Sequence, residues 1–110
     1  MSNNNLLPAQ FADLASHLRY ALPTTKERLR ARVASSMPDL QAFYNAVSPR
    51  MDAIMAYMKD FPADEKALPP QELNLMRLAK AFMCIAVAVE LFHAPDEPGV
   101  LTFEDMVLTP

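Results

Sequence analysis

Glycine is almost absent from this chain, whose 110 residues include one glycine, Gly99, against ten prolines. Tight β-hairpins depend on glycine at positive φ, so the shortage argues against an all-β or doubly wound α/β fold. The prolines fall between segments of helical periodicity, where they separate one helix from the next. We therefore predict an all-α fold, a compact bundle of four helices around one hydrophobic core.

Cysteine, strong charge and long apolar runs are also scarce. The single cysteine, Cys84, excludes an internal disulfide and a CxxC-type metal site, and it suits a reducing cytoplasm. The net charge of −3 does not point to nucleic acid. The most apolar run, residues 81–92, is shorter than the roughly 20 residues that span a membrane. Residues 1–5 lack a basic segment followed by an apolar one, so we expect no secretory signal and a cytoplasmic protein.

The remaining helices are arranged around residues 35–61. The apolar positions of this stretch are spaced 4-3-4-3-4-3, which keeps one stripe of a helix against its neighbours: Leu40, Tyr44, Val47, Met51, Ile54, Met58 and Phe61. Pro49 removes a hydrogen bond to the carbonyl of Asn45, so it either kinks this helix or splits it into two. The stripe passes Pro49 without a phase shift, which favours a single kinked helix.

The first predicted helix begins near Pro8 and ends before Pro23, with a stripe of Phe11, Leu14, Leu18 and Leu22. On an α-helical wheel His17 lies at the edge of that stripe, one turn from Asp13. A titrating or ligating histidine is one interpretation. The other, which we favour, is an Asp–His pair exposed to solvent.

The second predicted helix follows a capping box of Thr24 and Glu27. Its clearly core-directed residues are Leu29 and Val33. Basic residues surround them, at positions 26, 28, 30 and 32. These charges do not converge on one face and no aromatic residue lies among them, which argues against nucleic-acid binding through Arg28, Arg30 and Arg32. We expect long side chains that cover the edge of the core, with docking of an acidic partner as the alternative.

The fourth predicted helix covers residues 70–93, and its second half is apolar around the whole circumference. Three neighbouring helices in so short a chain cannot cover such a helix completely. Around these helices the chain divides into a disordered N-terminus, 1–7, the bundle, 8–93, and an acidic C-terminal tail, 94–110, packed on the bundle. The tail carries four acidic and no basic residues, so we expect it near the basic second helix, either of the same chain or of a neighbouring one.

The sharpest motif is Glu90-x-x-His93, the ligand pair of di-iron carboxylate bundles. Such sites need a second copy of the motif and two further glutamates, and the chain has no second copy. A zinc site lacks ligands in the same way. Cys84 has no histidine within one turn, and no glycine-rich phosphate loop or serine nucleophile motif occurs. We therefore assign no catalytic residue, no metal ligand and no cofactor.

Methionines give the best candidate for a functional surface. Met51, Met55 and Met58 of the third helix are expected to face Met76 and Met83 of the fourth, and such surfaces adapt to irregular partners. Filling of the core is the alternative explanation. The possible interface or pocket comprises Tyr44, Met51, Met55, Met58, Met83, Glu90 and His93, with Tyr57 as a further polar group.

Three segments, LLPAQFADL, ASSMPDLQAFYNAVSPRMDAIMAYMKDFP and VAVELF, resemble segments of small all-helical proteobacterial proteins of unknown function in the same order. The resemblance spans roughly residues 7–103 and rests on hydrophobic positions without a catalytic signature. Such proteins sometimes accompany aromatic-ring-hydroxylating oxygenase components. The resemblance therefore implies an accessory protein and identifies no functional residue.

Two functions of different classes follow from these features. The first is a non-enzymatic interaction module that self-associates, as a homodimer for example, or serves as an accessory subunit of a larger enzyme, including one of the oxygenase type. The second is a small-molecule-binding protein or minor enzyme with an apolar pocket between the third and fourth helices. Its polar groups would be Tyr44, Tyr57, Glu90 and His93.

Overall fold

A computed structural model describes residues 6–92 of the chain, with the backbone alone for Phe92. The elements in order are a 3₁₀ helix, Ala9–Tyr20; α1, Thr25–Ala34; α2, Met37–Val47; a 3₁₀ turn, Ser48–Arg50; α3, Met51–Met58; a 3₁₀ turn, Glu65–Ala67; α4, Pro70–Val87; and a π turn, Ala88–Phe92. No strand occurs between residues 6 and 92, and the predicted all-α bundle of four helices is confirmed. The predictions for residues 1–5, for His93 and for the tail 94–110 lie outside the described residues.

The third predicted helix is a kinked helix, as its apolar spacing indicated. Residues Val47, Ser48, Arg50 and Met51 all keep right-handed helical backbone angles through the kink. Pro49 lies in the first turn of the short 3₁₀ segment, which joins α2 to α3 without a loop. The proline therefore costs one helical hydrogen bond and leaves the apolar stripe continuous.

This stripe lies in the core. Leu40, Val47 and Ile54 are fully buried, and Met58 is nearly so. They pack with Leu75, Leu78 and Ile85 of α4 in one hydrophobic cluster. The cluster also includes Leu7, and the Leu6 carbonyl accepts a hydrogen bond from Asn74. Leu6 and Leu7 therefore contact the bundle, although the boundary drawn from the sequence placed them in the N-terminal segment.

The first helix is a 3₁₀ helix over its whole length, which changes the face that it buries. A 3₁₀ helix has three residues per turn, so side chains three residues apart line up along it. Phe11, Leu14 and Tyr20 are buried accordingly, with His17 in the same row. The α-helical spacing had placed His17 at the exposed edge, and that prediction was wrong: its ring contacts Phe43 edge-on, with 5.7 Å between ring centroids. Asp13 pairs with Arg50 instead, at 2.7 Å.

Helix α1 begins at the predicted capping box. The backbone N–H of Glu27 donates to Thr24 Oγ1 at 3.1 Å, and the Thr24 N–H donates to Glu27 Oε1 at 3.2 Å. Ser36 caps α2 similarly, accepting from the Asp39 N–H at 3.3 Å. These side chains satisfy N–H groups that have no partner within the first helical turn.

The buried side of α1 is not the one that its apolar residues predicted. Its buried residues are Arg28 and Arg32, whereas Leu29 and Val33 are only half-buried, so the prediction that these two are its core-directed residues was wrong. Arg28 Nη1 donates to the Leu22 carbonyl at 2.6 Å. Arg32 Nη1 donates to the Cys84 carbonyl of α4 at 3.0 Å. Long side chains can bury their apolar stems where the charged ends find acceptors, and both arginines do so.

The second half of α4 remains partly uncovered. Ala81, Ile85 and Ala88 are buried in the bundle. Met83, Val87 and Leu91 are exposed, and Leu91 retains 71% of its accessible surface. Among residues 6–92, no helix has the length and apolar character needed to cross a membrane.

Candidate functional site

A groove between α3 and α4 is lined mainly by methionines. Met55 and Met58 line it from α3, and Met76, Ala79, Lys80 and Met83 line it from α4. Its volume is about 190 Å³. Met58 is buried, whereas Met55 and Met83 keep 50% and 55% of their surface exposed. We call these six residues the methionine groove.

The helical spacing of α4 explains how the groove forms. Met76, Ala79, Lys80 and Met83 are spaced three or four residues apart, so they share one face of the helix. Met55 and Met58 are three residues apart on α3 and face them. Thioether side chains are flexible and polarizable, which lets such a groove adapt to the shape of whatever enters it. The sequence pattern identified all four methionines, whereas Ala79 and Lys80 were missed although they lie at the same spacing.

Lys80 joins the groove to a charged cluster. Its Nζ lies 2.9 Å from Glu65 Oε2, and Arg77 Nη2 lies 3.3 Å from Glu65 Oε1. The hydrogen bond from Lys80 is the main reason that the pKa of Glu65 falls below its ordinary value. Because its ammonium is held by Glu65, Lys80 presents its aliphatic stem to the groove.

A wider depression lies on the other side of this cluster. Its volume is about 670 Å³, and it is lined by Ala63, Asp64, Glu65, Lys66, Leu68, Leu73 and Arg77. Glu65 and Arg77 are paired with each other here. Asp64 accepts a hydrogen bond from the backbone N–H of Lys66, which starts the short 3₁₀ turn. The ion pairs of Glu65 hold the loop after α3 against α4.

Tyr44 and Glu90 form a contact of their own, outside the methionine groove. The Tyr44 hydroxyl donates a hydrogen bond to the Glu90 carboxylate, and the Tyr44 ring stacks on Phe82 at 5.5 Å between centroids. The hydrogen bond to Glu90 raises the pKa of Tyr44. The π turn carries Glu90, so this pair ties the end of α4 to α2.

A second tyrosine–glutamate pair joins α3 to the start of α4. Tyr57 donates to Glu72 Oε2 at 2.6 Å, and Glu72 is buried. This hydrogen bond raises the pKa of Tyr57. The Tyr57 ring also packs against Phe11 and Phe61. Each tyrosine therefore links the kinked helix to α4 or to the π turn that follows it, through a hydrogen bond to a glutamate. Neither tyrosine lines the groove.

The structure thus brings together three of the seven residues proposed for the interface or pocket. Met55, Met58 and Met83 line the methionine groove. Met51 is half-buried against the core, and Tyr44 and Glu90 bind each other. His93 lies outside the described residues, so the Glu90-x-x-His93 motif stays a sequence-based hypothesis. Between residues 6 and 92, no three histidine, cysteine or acidic side chains gather closely enough to hold a metal ion.

Cys84 is a poor nucleophile at neutral pH. Burial raises the pKa of its thiol above the ordinary value, although the nearby guanidinium groups of Arg32 and Arg28 oppose that effect. Reactivity belongs to the thiolate, so a raised pKa keeps this side chain in its unreactive form.

His17 gives the fold a dependence on pH that can be measured. Burial, and secondarily the charge of Arg19, lowers the pKa of His17 below 6.5. The unfolded chain therefore binds a proton more readily than the folded chain, and stability is full above about pH 6.5 and declines as the pH falls through the folded-state pKa. We expect urea denaturation to show a modest decline between pH 7.5 and 5.5, because solvent screens a half-buried ring.

The variant His17→Gln should remove this part of the pH dependence while leaving the Glu65 titration below pH 4.5 in place. An identical slope of stability against pH in the variant and the wild type would contradict the assignment to His17.

No family model, curated protein or solved structure matches this chain. The resemblance of its segments to small proteobacterial proteins stays a prediction. What the arrangement offers chemically is the adaptable apolar surface of the methionine groove.

Proposed function

We propose that this protein is a non-enzymatic interaction module that holds an apolar side chain of a partner helix in the methionine groove. The observation that carries the proposal is the exposure of Met55 and Met83 beside an apolar groove. Val87 and Leu91 extend the same exposed surface along α4 and the π turn. Covering surface of this kind favours association, because apolar side chains are removed from water.

The size of the groove favours a protein side chain over a free ligand. Pockets for small molecules usually measure roughly 300–1,000 Å³. The methionine groove measures about 190 Å³, which suits a single leucine or phenylalanine side chain. Hydrophobic anchors that enter such a groove from an amphipathic helix are a common mode of recognition.

A second copy of the chain is the first partner to test. A two-fold symmetric contact brings the same patch of both copies together, so the exposed row of α4 would cover itself. A larger enzyme component, of the kind that the resemblance to oxygenase-associated proteins implies, is the other partner class. Both classes of partner would bind the same surface, and the experiments below distinguish between them.

We expect light scattering of the wild-type protein to give about twice the chain mass of 12.3 kDa at high concentration. Met83→Glu should reduce it to the mass of one chain, because a carboxylate would be buried in an apolar contact. Ala53→Glu is the matched control, since Ala53 is exposed on α3 and does not line the groove.

If the wild-type protein is a monomer, the same variants are tested for binding to the larger partner. That partner should be retained from native cells by wild type and Ala53→Glu, and lost with Met83→Glu. A monomer without any partner sensitive to Met83→Glu would refute the interaction module. A small apolar compound that raises the melting temperature of wild type, and not of Met83→Glu, would establish the ligand-binding alternative.

A further inference from the structure

The methionines of this chain differ in their access to solvent. Between residues 6 and 92 only two of them are exposed, Met55 at 50% and Met83 at 55%. The others in that range are buried or half-buried: Met37, Met51, Met58 and Met76. Both exposed methionines line the methionine groove, Met55 from α3 and Met83 from α4. The accessible thioethers of the described chain therefore belong to a single site.

Exposed thioethers are the methionine side chains that peroxides reach first. The lone pair of Sδ attacks one oxygen of hydrogen peroxide, and an S–O bond forms as the O–O bond breaks. The departing hydroxide takes up the proton of the transferred oxygen and leaves as water, so sulfur is oxidised and peroxide is reduced. The product, methionine sulfoxide, is polar where the thioether was apolar.

The surroundings of the two thioethers are apolar. Only apolar atoms line the groove. Lys80 is the one charged residue among its six lining residues, and its ammonium already pairs with Glu65 at 2.9 Å. An apolar partner that covered an S–O group here would bury a polar oxygen without supplying a hydrogen-bond donor, which is unfavourable.

We propose that Met55 and Met83 form a sulfoxidation site, at which hydrogen peroxide or another peroxide makes the methionine groove polar and so releases its partner. The release rests on the function proposed above, whereas the modification depends only on the exposure of the two side chains. Oxidation and association thus compete for one surface, since a partner that covers the thioethers also shields them from peroxide.

Peptide mapping of the full-length chain tests the site without reference to any partner. Dilute protein is treated briefly with hydrogen peroxide, and tandem mass spectrometry locates the added oxygen. Trypsin releases residues 51–59 as one peptide, which compares Met51, Met55 and Met58 under identical conditions. We expect Met55 to oxidise about five times faster than Met58, following their exposures of 50% and 8%. Met83 should be as fast as Met55.

The unfolded chain is the control for this map. In concentrated urea all methionines are accessible, so Met55 and Met58 should oxidise at similar rates. Equal rates for these two residues in the folded chain, or a Met83 as slow as Met58, would overturn the site. A preference for Met55 that persists in urea would also overturn it, since the sequence around the residue and not the fold would then set the rate.

Light scattering before and after peroxide treatment tests the release. We expect oxidation to weaken self-association of the wild type about tenfold, because polar groups replace apolar ones in the contact. The double variant Met55→Leu with Met83→Leu keeps both side chains apolar and cannot form either sulfoxide, so peroxide should leave its association unchanged. Met55→Gln with Met83→Gln introduces polar groups directly and should weaken association without peroxide.

The outcomes separate the release from the function on which it rests. Association of the wild type that survives oxidation of both methionines, or is lost equally in the leucine variant, would overturn the release. If the wild type is a monomer, retention of the larger partner replaces light scattering. A chain that neither self-associates nor retains a partner would refute the proposed function and the release together, and the peptide map would still decide the sulfoxidation site.

Discussion

Replacement of Ile54 by aspartate should destabilise this protein severely and lower its urea midpoint far below that of the wild type. Ile54 lies on α3 and is fully buried in the cluster formed with α4. The change removes a large apolar side chain and puts a carboxylate among apolar neighbours. We expect a loss of at least about 4 kcal/mol, since buried unpaired charges are among the most destabilising substitutions. Domains of this size have only about 5–15 kcal/mol of stability in total.

The neighbouring residue supplies a matched control. Met55 is adjacent in the chain, lies on the same helix and is half exposed. Met55→Asp introduces the same charge and the same helix propensity, so we expect it to change the free energy of unfolding by less than about 1 kcal/mol. Circular dichroism during urea denaturation measures both variants. Equal midpoints for Ile54→Asp and Met55→Asp would show that the apolar stripe does not lie in the core as described.

The burial predicted for the apolar stripe agrees with the structure, which shows which features can be predicted from local sequence. Leu40, Val47 and Ile54 repeat at helical spacing, and burial follows from that spacing wherever the helix is regular. The capping box of Thr24 and Glu27 is local in the same way, because its two hydrogen bonds join residues three apart. Local rules therefore predicted the helices, their starts and the phase of the stripe through Pro49.

The first helix shows where those rules fail. Its periodicity was interpreted at 3.6 residues per turn, whereas its buried residues Phe11, Leu14 and Tyr20 follow a period of three. His17 belongs to that row and was therefore placed on the wrong side. A spacing of three fits either helix type over one or two turns, and packing against Phe43 is a tertiary contact that the local pattern does not contain.

The candidate site divides along the same line. The methionines of the groove were found because Met55 and Met58, and likewise Met76 and Met83, repeat at helical spacing. The ion pair between Lys80 and Glu65 was not predicted, since it joins α4 to the 3₁₀ turn fifteen positions earlier in the chain. Tyr44 and Glu90, expected to line one pocket, are 46 positions apart and bind each other instead. Pairings between elements depend on the orientation of helices, which composition and periodicity do not specify.

Replacement of Arg32 should cause the second large loss of stability, although an arginine in a basic helix would ordinarily be expected at the surface. Its side chain keeps 2% of its accessible surface, and its Nη1 donates to the Cys84 carbonyl at 3.0 Å across the contact of α1 with α4. Arg32→Ala leaves a cavity where the stem packs and removes the donor from a carbonyl of α4. We expect a loss of about 2–4 kcal/mol, from lost packing and an unsatisfied acceptor together.

Arg30→Ala is the control, since Arg30 is two residues away on the same helix and is exposed. It should cost less than about 1 kcal/mol, the usual range for a surface ion-pairing side chain. Arg32→Met separates the two contributions, because methionine restores most of the apolar stem and none of the hydrogen bond. A stability for Arg32→Met midway between Arg32→Ala and wild type assigns part of the effect to packing. Equal losses for Arg32→Ala and Arg30→Ala would mean that burial gives Arg32 no special role in joining α1 to α4.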